Sequence, residues 1–385
     1  MVAMMDDTLI PKTGKKVVGA AWRRDPLGPP FQTNLIWANR FLQVSLALPE
    51  TTEPGRARAI PVAFDHCPTP RKPKPNAPDT TWQDYNKLKR AMKITGKGLA
   101  AIERLRMELD RQQAEARQLI IAVDGGYTNG DLLRNLPART TLIGRLRKDA
   151  KLFQPPVPRP GPGRKSFYGD PLPTPDEIRC DPAIPWKTCE AFAAGRKHDF
   201  QVKTVTPVRW RAAGEKDLRL VVIKPLHYRL SRQAKLLYRD PAYLICSDPD
   251  LPLEQLLQDY IWRWGIELNF REQKQLIGCG QAHIRSYDAI RHLPPFLTAA
   301  YAFLLLAAHQ VATQQPHFGL PPAKWTPKNK PRTSTGDLIN ILRNELWAQS
   351  IQKSHLHHFD KNTPSTRSAL NRNPSAFDAV FYARN

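Results

Sequence analysis

Apolar positions along the first 65 residues come in short, alternating stretches, and after residue 80 they switch to a helical period. "VAMMDDT" and "KVVGAAW" are short apolar runs, "FLQVSLALP" (41–49) alternates, and "AIPVAFD" (59–65) continues in kind, so the pattern predicts three or four β-strands. Residues 68–80 are rich in Pro and Lys and read as a loop. From Trp82 to about Gln118, Leu88 and Met92 and then Leu99, Ile102, Leu105 and Leu109 recur three and four apart. That spacing predicts a long amphipathic helix, or a helix pair, interrupted near Gly96. "LIIAV" is a continuous apolar run closed by "DGG", the mark of a buried strand meeting a tight turn, and Thr128 or Asn129 can cap a helix after it. "TTLIGRLRK" (140–148) predicts a further strand on which Arg145 and Arg147 share one face. Residues 154–177 are a Pro/Gly-rich linker, and "DFQVKTVTPVRWR", "LRLVVIKPLHYRL" and "AYLICSD" (242–248) predict antiparallel strands beyond it.

The stretch "DYIWRWGIELNFREQKQLIG" (259–278) follows at once, with Ile261, Trp264, Leu268 and Leu276 at roughly helical spacing. At about 100° per residue, Tyr260, Arg263, Glu267 and Lys274 fall within roughly 60° of one another on the helix surface. Such a stripe is by default a solvated face with an Arg–Glu pair at i,i+4. "FLTAAYAFLLLAAHQVA" (296–312) approaches the hydropathy of a membrane span, but it is slightly short and contains His309, so it predicts a buried helix.

A chain of 385 residues has room for two or three domains. Its 41% apolar and 24% charged residues are ordinary for a globular protein. The balance of charge is not: 58 Lys and Arg against 35 Asp and Glu leave +23. An excess of that size is the footprint of a polyanion, because Lys and Arg displace the counterions condensed on phosphates. No basic amphipathic anchor points to a membrane surface instead. Cys67, Cys180, Cys189, Cys246 and Cys279 are widely spaced with no CxxC pair, which reads as reduced intracellular thiols. The N-terminus carries no signal-peptide pattern.

Asp6 or Asp7 in "MMDDT" and Asp124 in "IIAVDGGY" stand at the ends of predicted buried strands, where α/β sheets present functional groups. Each alone is also an ordinary turn former. Glu267 supplies a third carboxylate. Three convergent carboxylates repel unless a cation binds between them. Oxygen-only ligands suit Mg²⁺ or Mn²⁺. Two such ions about 4 Å apart stabilise the attacking and leaving oxygens of a phosphoryl displacement.

The spacing Tyr260-x₂-Arg263-x₃-Glu267-x₆-Lys274 resembles the Y-(2)-R-(3)-E-(6)-K signature of DDE transposases from bacterial insertion sequences. With "DDT" and "VDGGYTNGDLL" upstream in the same order, the resemblance runs from the first strand to about residue 313. It implies a ribonuclease-H-like α/β core with a mixed sheet, interrupted by a mostly β insertion domain and followed by a helical C-terminal part. The implied division is a first core segment over 1–153, the linker 154–177, the insertion 178–248, completion of the core over 249–315 and a polar, partly helical tail over 316–385. The family's first Asp stands two before a Thr, which points to Asp6 rather than Asp7, with Asp124 and Glu267 completing a triad that binds two Mg²⁺ ions, or Mn²⁺ in their place. Tyr260, Arg263 and Lys274 would contact DNA phosphates. The implied partners are double-stranded DNA at element ends and target, and a second copy of the chain in a homodimer, in the cytoplasm of a bacterium at its nucleoid.

Other residues carry two readings. Trp210 among arginines would hold a flipped base, as related enzymes do, or would be a core Trp. Arg145 and Arg147 would face DNA near Asp124 or simply solvate a strand. His355, His357 and His358 suggest a metal site, although their polar, Pro/Ser-rich surroundings read as peripheral. Only five residues precede Asp6, whereas family members carry a DNA-binding region there. That departure supports a rival expectation, a truncated, non-catalytic DNA-binding protein that retains the fold.

Overall fold

The computed structural model describes residues 1–14, 16–25, 28, 32–50, 55–157, 166–229, 233–314 and 333–352. The three clustered histidines and most of the 316–385 tail lie outside them.

Four strands open the chain: β1 (Val2–Pro11), β2 (Ala21–Arg24), β3 (Leu35–Pro49) and β4 (Ala57–His66). Helices α1 (Asp79–Ala91) and α2 (Ile94–Arg111) follow, then β5 (Leu119–Val123), α3 (Gly130–Arg134), β6 (Thr140–Arg145), β7 (Leu152–Phe153) and α4 (Pro175–Cys180). The next stretch supplies β8 (Lys187–Ala193), β9 (Arg196–Trp210), β10 (Asp217–Ile223), the small pair β11 (His227–Tyr228) and β12 (Leu237–Tyr238), and β13 (Ala242–Cys246). Four helices end the described chain: α5 (Leu253–Trp262), α6 (Trp264–Gln275), α7 (Tyr287–Gln314) and α8 (Thr335–Gln352).

Eleven of the strands form one mixed sheet in the order β2-β3-β1-β5-β6-β13-β10-β9-β7, with β4 also on β3 and β8 on β9. The pairs β1–β5 and β5–β6 are parallel and the other pairs are antiparallel. "LIIAV" sits in the middle because all five of its residues are buried, as a strand covered on both faces requires. Residues 178–248 provide β8 to β13, and they join the same sheet through β13, whose Cys246 lies opposite Ile143 of β6.

Several elements differ from their sequence expectation. The run "KVVGAAW" is not a strand throughout: the chain turns at Gly19, where φ is +73°, and β2 starts only at Ala21. The helix pair breaks at Met92 and Lys93, while Gly96 falls in the first turn of α2. The Pro-rich linker hides α4, which Thr174 starts with a capping box to Glu177 and with Pro175 in the first turn. Strand β6 ends at Arg145, so Arg147 does not share a strand face with it; Arg147 lies in the following turn and pairs with Asp149 at 2.9 Å. The predicted 259–278 helix is two helices, α5 and α6, meeting at Arg263. Trp264, expected on its apolar face, is 63% exposed.

The described residues form two compact units, Met1–Arg271 with Gly280–Phe296, and Glu272–Cys279 with Leu297 onward. In the second, Glu272 accepts hydrogen bonds from the Tyr301 and Thr335 hydroxyls, both at 2.6 Å. The expectation of a buried helix at 296–312 is corrected there. Thr298, Tyr301, Ala302 and Leu305 are buried on one stripe, while Phe303 and Leu306 face outward. By length and composition α7 is apolar enough to cross a membrane, and only 28% of its most apolar stretch is buried.

Candidate active site

The ladder between the parallel strands β1 and β5 ends with Met5 opposite Val123. Asp6 and Asp124 come next on each chain, so both side chains fall on the same face where the β1–β5 ladder ends. Asp124 is just beyond β5 as expected, whereas Asp6 lies inside β1, which continues along β3 to Pro11, and not at a strand end. The turn after Asp124 is tied back onto it: the Tyr127 N–H and the Thr128 hydroxyl each donate to the Asp124 carbonyl at 3.1 Å. Asn129, one of the two expected caps, accepts from the N–H groups of Asp131 and Leu132 and so starts α3.

Glu267 comes from α6, and two features seat that helix while a third, from Trp262, fixes the end of α5 just before it. A Cβ at Gly265 would lie 2.9 Å from the Ala59 Cβ, so the helix can press onto β4 only because no side chain is there. Asn269 is buried and its Oδ1 accepts from the Ser45 hydroxyl at 3.0 Å and the Gln43 amide at 3.2 Å, while its Nδ2 donates to the Ala59 carbonyl at 3.1 Å. The Trp262 indole N–H donates to the Gly55 carbonyl at 2.7 Å. Gln43 lies directly opposite Asp6 in the β1–β3 ladder, so the same strand supports the first aspartate and the helix carrying the glutamate.

Arg263, at the junction of α5 and α6, is buried between the carboxylates. Its Nη1 is 3.1 Å from Glu267 Oε1 and 3.6 Å from Asp6 Oδ2, and its guanidinium carbon lies 5.7 Å over the Tyr260 ring. Its Nε is buried with no hydrogen-bond partner. Burial works against its charge, but Tyr260, Glu267, Asp6 and Asp124 together raise its pKa above the ordinary guanidinium value. Burial pushes Asp6 up to about 7, and the neighbouring Asp7 and Asp124 add to this, while the Asp7 N–H and Arg263 oppose it. Glu267 is also raised, by burial first and by the field of Asp124, against the pull of Arg263. Tyr260 is raised by burial, with Arg263 and Arg145 opposing.

A site whose carboxylates resist ionisation although an arginine lies among them is short of positive charge. Its all-oxygen donor set suits a hard divalent cation at Asp6 and Asp124. Among the described residues, no three His, Cys, Asp or Glu side chains close on one point, since Glu267 is engaged by Arg263. Asp7 points away: its Oδ1 accepts from the Tyr127 hydroxyl at 2.7 Å and its Oδ2 lies 2.9 Å from Arg40 Nε.

A sequence profile described as DDE superfamily endonuclease matches residues 1–216, more than half of the chain. The chain belongs to this family. No curated protein matches it. The matched span includes Asp6 and Asp124 and ends before the helix that carries Glu267. Membership makes the chain an enzyme of nuclease or transposase type, with DNA as its substrate and with the divalent-metal chemistry general to DDE superfamily endonucleases. The mixed α/β sheet with its helices is compatible with the ribonuclease-H-like fold of such enzymes.

The remaining sequence candidates are dispersed. Arg145 is exposed at the end of β6, close enough to Tyr260 for its charge to act on the phenol. Trp210 packs half-buried against the main core opposite Leu152, four strands from β5, or on the order of 19 Å across the sheet at the usual strand spacing. Lys274, near the end of α6, belongs to the second unit. The sequence reading missed Arg40, Gln43, Ser45, Tyr127 and Asn269. A signal existed for Asn269: Ile266, Asn269, Phe270 and Gln273 are all buried at three- and four-residue spacing, so a polar group falls on the seated face of the helix.

Proposed function

We propose that this DDE superfamily endonuclease is the transposase of an insertion sequence, cutting DNA strands at the element's ends and joining the freed 3′-hydroxyls to target DNA. The observation that carries the reading is that Arg263, at the α5–α6 junction, lies within 3.6 Å of Asp6 on β1 and 3.1 Å of Glu267 on α6 and feels the charge of Asp124 just beyond β5, with Arg263 and Glu267 at the spacing of the Y-R-E-K signature. Asp6, Asp124 and Glu267 would hold two Mg²⁺ ions, or Mn²⁺, which supply charge to the attacking and leaving oxygens. Arg263 presents an unpartnered, buried Nε beside the carboxylates, a donor fitted to a phosphate oxygen. Tyr260 lies against its guanidinium and Arg145 extends positive charge from the next strand. The chain's own part in the chemistry is to place the scissile phosphate and to exclude competing geometries. On this reading residues 178–248 are the insertion between the second and third carboxylates, and two copies of the chain assemble on paired ends at the bacterial nucleoid.

The test is incubation of the protein with Mg²⁺ or Mn²⁺ and labelled duplexes from the flanks of its own gene, with target plasmid added. Joined products carrying the duplex 3′ end in the plasmid are expected. Asp6→Asn, Asp124→Asn and Glu267→Gln should each lower cleavage by at least about 100-fold, as loss of one charge-stabilising group typically does. Ends that are bound but never cut by the wild type would return the chain to the DNA-binding rival.

A further inference from the structure

Asp7 follows Asp6 on β1, yet both of its oxygens are engaged away from the site. Tyr127 donates its hydroxyl to Asp7 Oδ1, and Arg40 of β3 supplies the counter-charge at Oδ2. Tyr127 is 3% exposed and sits in the turn that Asp124 opens, where its N–H holds the Asp124 carbonyl. At the other end, the Asp7 N–H donates to Asp6 Oδ1 at 2.8 Å. A continuous chain of contacts therefore runs from Asp124 through Tyr127 and Asp7 to Asp6. It crosses from the turn after β5 to β1 just past the last β1–β5 rung, Met5 opposite Val123, while β1 itself stays paired with β3.

We propose that Tyr127 and Asp7 form a clamp that fixes the turn after β5 against β1 and the rotamer of Asp6, making both of them positioning residues for the cation pair of the proposed active site. Two carboxylates on adjacent strands repel, and the chain beyond Val123 has left the β1 ladder and is free to move from it, while β1 itself continues along β3 to Pro11. The tyrosine counters both tendencies by reaching from one strand's turn to the other strand's next residue. Its ring is held in turn: a Cβ at Gly98 of α2 would lie 3.3 Å from two ring carbons and 3.0 Å from the Met5 methyl, so α2 lies directly against the clamp. Burial and the adjacent Asp7 hold the phenol protonated, as a donor must be. Arg40 completes the set, so Asp7 anchors the clamp without needing a metal.

The inference rests on the proposed function for its purpose but not for its existence, and the two are tested separately. Tyr127→Phe keeps the ring and removes only the hydroxyl. The clamp predicts faster hydrogen exchange at the Asp7 amide in the metal-free variant, with circular dichroism unchanged. It also predicts Mn²⁺ affinity weakened about 10-fold or more, the usual range for groups that orient metal ligands, and a fall in kcat with KM for DNA unchanged. Asp7→Asn keeps an acceptor for the phenol but loses the Arg40 charge pair, and should fall between wild type and Tyr127→Phe. Unchanged Asp7 exchange in Tyr127→Phe overturns the clamp. Faster exchange in a protein whose wild type binds no Mn²⁺ upholds the clamp and overturns the metal reading. Faster exchange with unaltered Mn²⁺ affinity in a protein that does bind it overturns the positioning role.

Discussion

Arg263 is held between two acidic side chains and against one aromatic ring, and each contact makes a different demand on it. If it serves the scissile phosphate, Arg263→Ala should weaken binding of end DNA similarly for all base sequences, because the contact goes to backbone. It should also change Mn²⁺ affinity, since Asp6 and Glu267 lose their counter-charge, whereas Lys274→Ala should leave Mn²⁺ affinity alone; titration calorimetry on both variants distinguishes them. Asp259 on α5 gives a pH signature away from the carboxylate cluster. It is 3% exposed, its Oδ2 has no hydrogen-bond partner, and burial pushes its pKa up to about 6 against a hydrogen bond from Gln255. A carboxyl whose folded pKa lies above its unfolded value near 3.9 destabilises the fold in full above the folded pKa and not at all below the unfolded one. Stability should therefore rise as pH falls from about 6 towards 4, by an amount on the order of 1–3 kcal/mol. Urea unfolding of Asp259→Asn over the same pH range should lack that contribution.

Helix α6 shows what an element-level pattern does and does not reveal. The Tyr-Arg-Glu-Lys spacing was legible because helical geometry ties residues three, four and seven apart to one face whatever the surroundings. The break at Arg263 was not, since Trp262, Arg263 and Trp264 carry no Gly or Pro to mark it; it reflects tertiary seating, with Trp262 bonded to the Gly55 carbonyl and Asn269 to β3 and β4. Strand β8 escaped notice for a related reason: its sequence KTCEAFA is half polar, and it is defined by pairing with β9 and not by its own pattern. Strand β5, by contrast, announces itself, because a strand buried on both faces must be apolar at every position. Removing the seat of α6 should therefore remove activity before it removes the fold. Asn269→Ala takes the acceptor from the buried Ser45 hydroxyl and one of the acceptors from the Gln43 amide, which keeps its bond to Ser45, and should cost about 1–3 kcal/mol in stability. Gly265→Val should lift the helix from β4 and lower cleavage while far-UV circular dichroism stays near wild type.

For the whole molecule, the excess of +23 and the cluster of resisting carboxylates divide the work between holding a polyanion and cutting it. Net charge and the placing of Asp124 at the end of a buried strand could be read from the sequence because each is a local or additive property, while the continuation of β1 past Asp6 to Pro11 could not, since it depends on pairing with β3. The joining of β8–β10 and β13 to the central sheet could not, since it depends on the pairing of β13 with β6 across about a hundred residues. Charge-driven binding predicts that non-specific DNA affinity falls about 10³-fold or more between roughly 50 and 200 mM salt, if six or more phosphates are neutralised. Fluorescence anisotropy over that range gives the slope directly, and a flat response would remove the polyanion footprint. The most direct measurement for the account as a whole is the nicking rate of a supercoiled plasmid carrying the gene's flanks, in Mg²⁺, by wild type and by Asp124→Asn at equal DNA occupancy. Wild type should produce nicks with free 3′-hydroxyls at the element boundaries and the variant almost none; equal nicking by both proteins would contradict the assignment of Asp124 to catalysis.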